Sequence, residues 1–329
     1  MDKEINRRIL SWYENSAKKT LNIKTVPYRG VEPLVEVSKK SISEGGRILY
    51  ITGEDKDAVL LVDALEEVGI ETVEICHGHE TDKSPCLVIC DYTEALRIIG
   101  KYDLVIYDDV NSFPFHRKPE MQSLISYIYP KCRKVIAYSF ETVFFNVETV
   151  EVALAESKNF VSEPRIIETR VNLLDEIPTS IYEYLLWFIY EKRNVLMVTT
   201  DSIISRRLVR YLSKIDESIT PYVVDVSHIG RLGMQELVQR EGGPHIFVTD
   251  DLEDYLNVPV NFEIIVHGAD SDRFSFRELL FYCLRSGYFD DVNGEVILLC
   301  QSQTPDIEKT KSMTRYFNKV IWDQGYLKG

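Results

Sequence analysis

Residues 102–109 read Tyr102-Asp103-Leu104-Val105-Ile106-Tyr107-Asp108-Asp109, an almost unbroken apolar run that ends in two carboxylates. A short run of this kind predicts a β-strand that is buried on both faces. Similar runs recur along the chain, at residues 47–52, 72–75, 85–90, 134–138, 194–200, 222–225, 245–249, 262–267 and 295–300. Helical spacing predicts helices between them, at residues 31–43, 55–68, 92–99, 119–128, 179–191, 202–214 and 303–317. Strands that alternate with helices predict α/β domains whose parallel sheets are covered by helices.

The length of the chain, 329 residues, suggests about two domains. Residues 3–21 carry apolar side chains at helical spacing and predict an amphipathic helix before the first domain. Pro164 and Pro178 interrupt the alternation of strands and helices near the middle of the chain. We therefore predict an N-terminal helix over residues 1–24, a first domain over 25–165 and a second domain over 166–329.

The charge balance is acidic, with 38 basic and 52 acidic side chains and a net charge of −14. Hydrophobic residues make up 45% and charged residues 27% of the chain, which is typical of globular proteins and excludes a disordered chain or a coiled-coil rod. Bulk charge therefore argues against a basic nucleic-acid-binding module. A local basic groove remains compatible with this composition.

Two absences in the sequence bear on the cellular location of the protein and on zinc binding. No apolar run reaches the ~18 residues that a transmembrane helix needs, and residues 1–8 lack the apolar segment of a secretory signal. We therefore expect a cytoplasmic protein without a membrane span. The six cysteines include no Cys-x2-Cys pair, so the spacing of a zinc ribbon is absent.

The segment after the central strand carries a family resemblance. It reads Asp108-Asp109-Val110-Asn111, then Ser112-Phe113-Pro114-Phe115. It resembles the Walker B segment of superfamily 2 helicases, and specifically that of the ComFA-type competence DNA translocases, where Asp-Glu-Val-Asp is followed by a small residue and Phe-Pro-Phe. Residues 87–96, 245–253, 268–270 and 280–288 resemble further segments of that family in the same order. The resemblance spans roughly residues 25–320 and implies two tandem RecA-like domains of the P-loop NTPase type. The family's four-cysteine zinc module is missing.

The resemblance implies roles for three candidate catalytic residues. Asp108 would hold Mg²⁺, and Asp109 stands where the family has the glutamate that polarises water. Arg285, followed by Ser286 and Gly287, matches the core of the helicase arginine motif and would stabilise the developing charge. The alternative for the two aspartates is a strand end where acids serve solubility and cap the next helix. The alternative for Arg285 is a solvent-facing position on a helix.

The phosphate loop departs from the family pattern. No Gly-x-x-x-x-Gly-Lys-Ser/Thr occurs in the sequence, and the corresponding residues are 27–32. Gly30 and Val31 stand about where the lysine and threonine belong, and Arg29 is the one cation that could replace the lysine. Arg29, Gly30 and Asp108 are therefore the candidate residues for binding Mg-ATP.

Arg206, Arg207 and Arg210 lie along one predicted helix and are the candidates for contact with a nucleic-acid backbone. A solvated helix face is the alternative interpretation. Several aromatic residues between 182 and 190 cannot all face one core, which indicates a surface for a partner.

In the family's DNA-contacting segment, Glu253-Asp254-Tyr255 stands in place of Glu-Arg-Gly, and two acids there would repel a phosphodiester. The losses therefore concern the elements that handle ATP and DNA, whereas the apolar strands are intact. We therefore expect a degenerate helicase- or translocase-like protein that does not hydrolyse ATP and needs no cofactor. It would bind nucleic acid or protein in DNA uptake or processing, with single-stranded DNA and a protein as partners. One alternative is an active ATP-dependent DNA helicase or translocase that uses Mg-ATP with an atypical phosphate loop. A second alternative is a two-domain nucleotide-ligand enzyme of another class.

Overall fold

The protein consists of two compact units, Met1–Ser157 and Lys158–Gly329. They are seen in a computed structural model, and each is described by itself. The structure describes residues 3–25, 30–54, 59–70, 74–75, 86–111, 116, 118–152, 160–174, 176–251, 260–286 and 294–323.

The first unit is built on a sheet of seven parallel strands in the order β3-β4-β2-β5-β6-β1-β7. The strands are β1 (Thr20–Thr25), β2 (Ile48–Ile51), β3 (Glu74–Ile75), β4 (Leu87–Cys90), β5 (Tyr102–Asp108), β6 (Cys132–Ser139) and β7 (Thr149–Val152). The helices are α1 (Lys3–Asn15), α2 (Glu32–Ser43), α3 (Leu60–Glu67), α4 (Tyr92–Ala95) and α5 (Lys118–Ile128).

The second unit is built on six parallel strands in the order β10-β11-β9-β12-β13-β8. The strands are β8 (Arg165–Glu168), β9 (Val195–Val198), β10 (Val223–Asp225), β11 (Ile246–Thr249), β12 (Glu263–His267) and β13 (Val296–Cys300). The helices are α6 (Thr179–Tyr190), α7 (Ser202–Ile215), α8 (Val226–Glu241), α9 (Phe276–Arg285) and α10 (Pro305–Asp323). Gly230 interrupts α8 with a φ of 63°, a conformation that glycine adopts without strain.

The central strands form the core of each unit. Every residue of β2, β4, β9, β11, β12 and β13 is buried, as expected for strands that are covered on both faces. The fold class predicted from the alternating pattern, parallel α/β, is therefore confirmed. Among the described residues, no helix is long and apolar enough to cross a membrane.

The N-terminal region differs from the prediction. We predicted a helix over residues 3–21, but α1 ends at Asn15 and Thr20–Thr25 forms β1, between β6 and β7 in the sheet. The buried ammonium of Lys134, on β6, donates hydrogen bonds to the carbonyl oxygens of Trp12, Ser16 and Lys18 at 3.1, 2.6 and 3.0 Å. These bonds satisfy backbone carbonyls at and beyond the helix end, so the chain can turn there and enter the sheet.

Strands β1, β7 and β8 and helices α8 and α9 were not predicted. Each of the three strands carries polar or charged residues, so none shows the continuous apolar run that marks the other strands. The boundary between the units lies before β8, which pairs with β13 of the second sheet.

Candidate functional site

The candidate nucleotide site lies at the edge of the first sheet where the parallel strands end. Strand β6 separates β1 from β5, so the ends of β1, β6, β5 and β2 lie side by side. Chain segments that leave this edge carry the candidates Gly30, Asp108 and Asp109. In open parallel sheets this is the edge at which ligands bind.

Asp108 is completely buried and is hydrogen-bonded on both carboxylate oxygens. Its Oδ1 accepts from the backbone N–H groups of Val110 at 2.9 Å and Asn111 at 3.0 Å. Its Oδ2 accepts from the Asn111 side-chain amide at 2.7 Å and from the phenol of Tyr50. A carboxylate has about four acceptor positions. All four are therefore taken by donors of the protein itself.

The electrostatics of this cluster follow from its burial. Removal from water raises the pKa of the Asp108 carboxyl above its ordinary value, and the hydrogen bonds from Tyr50 and Asn111 oppose that rise. Burial, together with the nearby Asp108 charge, raises the pKa of Tyr50 well above its ordinary value. The Tyr50 phenol is therefore protonated at neutral pH and donates to the carboxylate.

Asp109 is also buried, with an exposed fraction of 2%. Its Oδ2 accepts a 2.6 Å hydrogen bond from the hydroxyl of Ser139 at the end of β6, and its N–H donates to the Tyr138 carbonyl at 2.8 Å. Neither aspartate is therefore a solubilising surface acid, which was part of the alternative interpretation. The hydroxyl of Ser139, at the end of β6, therefore joins Asp109 at this edge of the sheet.

The position of the phosphate loop is only partly described. Arg29 lies outside the described residues, as do residues 26–28. The carbonyl oxygen of Gly30 accepts a 2.6 Å hydrogen bond from the buried phenol of Tyr138. Tyr138 thereby ties the start of α2 to the sheet, beside the strand that carries Asp108.

Arg285 is the last residue of α9 and is buried, with an exposed fraction of 7%. The alternative of a solvent-facing helix residue is therefore wrong. The helix begins with a capping box between Ser275 and Glu278, which fixes its register. Gly287 and Tyr288 of the same segment lie outside the described residues.

Helix α7 presents Arg206, Arg207 and Arg210 to solvent. Its opposite face buries Leu208 and Leu212 against the second sheet, and the Asp201 side chain caps its first turn. The three arginines therefore form an exposed basic strip, as both interpretations of this helix require.

Sequence reasoning missed Tyr50, Tyr138 and Asn111 as members of this site. Tyr50 and Tyr138 lie inside apolar strands, where tyrosine is an ordinary core residue. The sequence did offer one signal for these tyrosines. A buried phenol usually finds a hydrogen-bond partner, and a carboxylate at the end of a neighbouring strand can be that partner.

The comparisons with known proteins concern the fold. No protein-family model matches the chain, and no curated protein matches it in sequence. The DUF1998 helicase MrfA bound to DNA is similar in structure, with 14% identity and a TM-score of 0.51 over 97% of this chain and 54% of that chain. Dbp5 of S. cerevisiae bound to RNA and ADP BeF3 is similar with 9% identity and a TM-score of 0.55 over 98% of this chain and 91% of that chain.

The two α/β units of this chain have the tandem RecA-like fold of these neighbours. The chain spans about half the length of MrfA.

Proposed function

We propose that this chain is a helicase-fold protein without a motor, a ComFA-like relative that does not bind or hydrolyse ATP. It would act as a nucleic-acid or protein-binding component in DNA uptake or processing. The observation that carries this proposal is the saturation of Asp108 by Tyr50, Asn111 and Val110. A helicase motor requires that carboxylate for Mg²⁺ and a lysine for the phosphates.

Releasing Asp108 for a metal would be energetically unfavourable. A metal on this carboxylate would displace donors that are themselves buried, and each buried donor left without an acceptor costs about 1–3 kcal/mol. The sequence also supplies no phosphate-loop lysine, and Tyr138 holds the Gly30 carbonyl close to that lysine's expected position. Both observations support a site that does not bind a triphosphate.

Binding rather than catalysis is the activity that the surfaces support. MrfA and Dbp5 are bound to DNA and RNA, and in this chain the exposed arginines of α7 are suited to phosphate contacts with single-stranded DNA. On α6, Trp187 and Tyr190 are 40% and 82% exposed, and such aromatic side chains are enriched at protein interfaces. They are our candidates for the surface that contacts a protein partner.

The test is ATP hydrolysis by the purified full chain with Mg²⁺, with and without a 20-nucleotide poly-dT strand. We expect no phosphate release above background in either case, whereas enzymes typically turn over at about 1 s⁻¹ or faster. The Asp108→Asn variant is the control for contaminating ATPases. Turnover that poly-dT stimulates and that Asp108→Asn abolishes, in a variant that circular dichroism shows to be folded, would instead establish an active translocase.

A further inference from the structure

A row of cations lies at the end of the first sheet where its parallel strands begin. Asp108 lies at the other end of these strands. A lysine or an arginine stands one or two residues before each of four strands, and Arg133 is the second residue of β6. We call this set the basic row: Lys18, Lys19, Arg47, Lys101, Lys131 and Arg133. The row is unexpected in a chain with a net charge of −14.

Sheet order makes the basic row continuous. The four strands are neighbours in the sequence β2-β5-β6-β1. The pairing of Tyr102 with Cys132 places Lys101 beside Lys131, and the Val135 N–H donates to the Lys19 carbonyl at 2.9 Å. Three intervals of about 4.8 Å between strands give the row a length of roughly 15 Å. A nucleic-acid strand carries several phosphates over that distance.

Little negative charge opposes the basic row. Asp103 is the one carboxylate at these four strand starts, and it already accepts from the Arg47 N–H at 2.9 Å and lies 3.7 Å from the Arg133 guanidinium. Glu14 and Glu44, which precede β1 and β2 in the chain, both pair with the Lys40 ammonium, at 3.1 and 3.0 Å.

Two exposed tyrosines border the basic row at the end of α5. Tyr127 and Tyr129 are 41% and 42% exposed. The ammonium groups of Lys131 and Lys19 lie 3.7 and 4.2 Å from the centres of these two rings, respectively. Exposed aromatic rings beside phosphate-binding cations are the arrangement on which proteins stack unpaired bases.

We propose that the basic row with Tyr127 and Tyr129 is a binding site for single-stranded nucleic acid. It lies at the opposite end of the strands of the first sheet from Asp108, and it shares no residue with the arginines of α7. The row supplies charge for the phosphates and the tyrosines supply stacking for unpaired bases. A duplex, whose bases are already stacked, would gain only the phosphate contacts.

The test compares three charge-reversal variants that change the net charge equally. The first is Lys18→Glu/Lys101→Glu/Lys131→Glu in the basic row. The second is Arg206→Glu/Arg207→Glu/Arg210→Glu on α7. The third, a control, is Lys3→Glu/Arg7→Glu/Lys39→Glu on exposed positions of α1 and α2. Fluorescence anisotropy with labelled 20-nucleotide poly-dT measures the Kd at several salt concentrations, and thermal melts verify that each variant folds.

We expect the basic-row variant to raise the Kd at least tenfold and to lower the salt slope by about 2, as the loss of three phosphate contacts from a single strand predicts. The control should stay within about twofold. Tyr127→Ala should weaken poly-dT binding while leaving heparin binding unchanged. Equal losses in the control and basic-row variants would overturn the proposal. So would equally tight binding of polyglutamate, which would point to an acidic protein instead. The α7 variant separately tests the nucleic-acid surface of the proposed function.

Discussion

Replacing Asp108 with alanine is expected to lower the free energy of unfolding by about 4 kcal/mol. The substitution removes the buried acceptor for the Asn111 amide and two backbone N–H groups, and it leaves the Tyr50 phenol with the longer 3.3 Å contact to Glu54 Oε2. Each buried donor left without a partner costs about 1–3 kcal/mol, and part of the total is recovered by relaxation. Urea denaturation followed by circular dichroism measures this change.

The neighbouring donor provides a control within the same cluster. Tyr50→Phe removes the phenol, so the double variant Tyr50→Phe/Asp108→Ala should be less destabilised than the sum of the two single variants. Asp63→Ala, at an exposed position of α3, should change stability by less than about 0.5 kcal/mol. If Asp108→Ala is as stable as the parent, the carboxylate is not the structural anchor that the hydrogen bonds indicate.

Mild acid is expected to destabilise the second unit through His267. This residue ends β12, is 2% exposed, and its Nε2 has no hydrogen-bond partner among the described residues. Burial lowers the pKa of His267 from 6.5 to about 4. The unfolded chain therefore binds a proton that the folded chain does not, so stability falls as the pH drops from 6.5 towards 4. The loss at pH 5 is about 2 kcal/mol.

His267→Leu isolates this contribution. Between pH 7.5 and pH 5 the variant should lose about 2 kcal/mol less stability than the parent in urea titrations. Ile265→Val, on the same strand, is the packing control, because the destabilisation it causes should be the same at both pH values. Identical pH dependence in the His267→Leu variant and the parent would show that His267 does not carry the acid sensitivity.

Local pattern predicts much of this fold and fails where tertiary contacts decide. Strands such as Leu87–Cys90 and Val296–Cys300 are continuous apolar runs, so their burial on both faces is visible in the sequence. Strand Thr20–Thr25 is not visible, because the helical spacing before it continues past the true helix end. That end depends on Lys134, which is more than one hundred residues away in the chain.

The candidate site shows the same division. A carboxylate at the end of a buried strand is readable from residues 102–109. The hydrogen bonds of that carboxylate are not readable from the sequence, because the bond from Tyr50 exists only once β2 pairs with β5. The tie between Tyr138 and Gly30 likewise depends on β1 pairing with β6. The sequence indicates the carboxylate at the strand end, and the sheet order determines which donors bind it.

Isothermal titration calorimetry with Mg-ATP tests most directly whether the candidate nucleotide site binds nucleotide. The full chain is titrated to about 1 mM nucleotide, the upper end of ordinary enzyme affinities, with and without poly-dT. Because protein donors occupy all four acceptor positions of Asp108, we predict no heat of binding in either titration. Saturable binding that Asp108→Asn removes would contradict this account and would assign the carboxylate to a working nucleotide site.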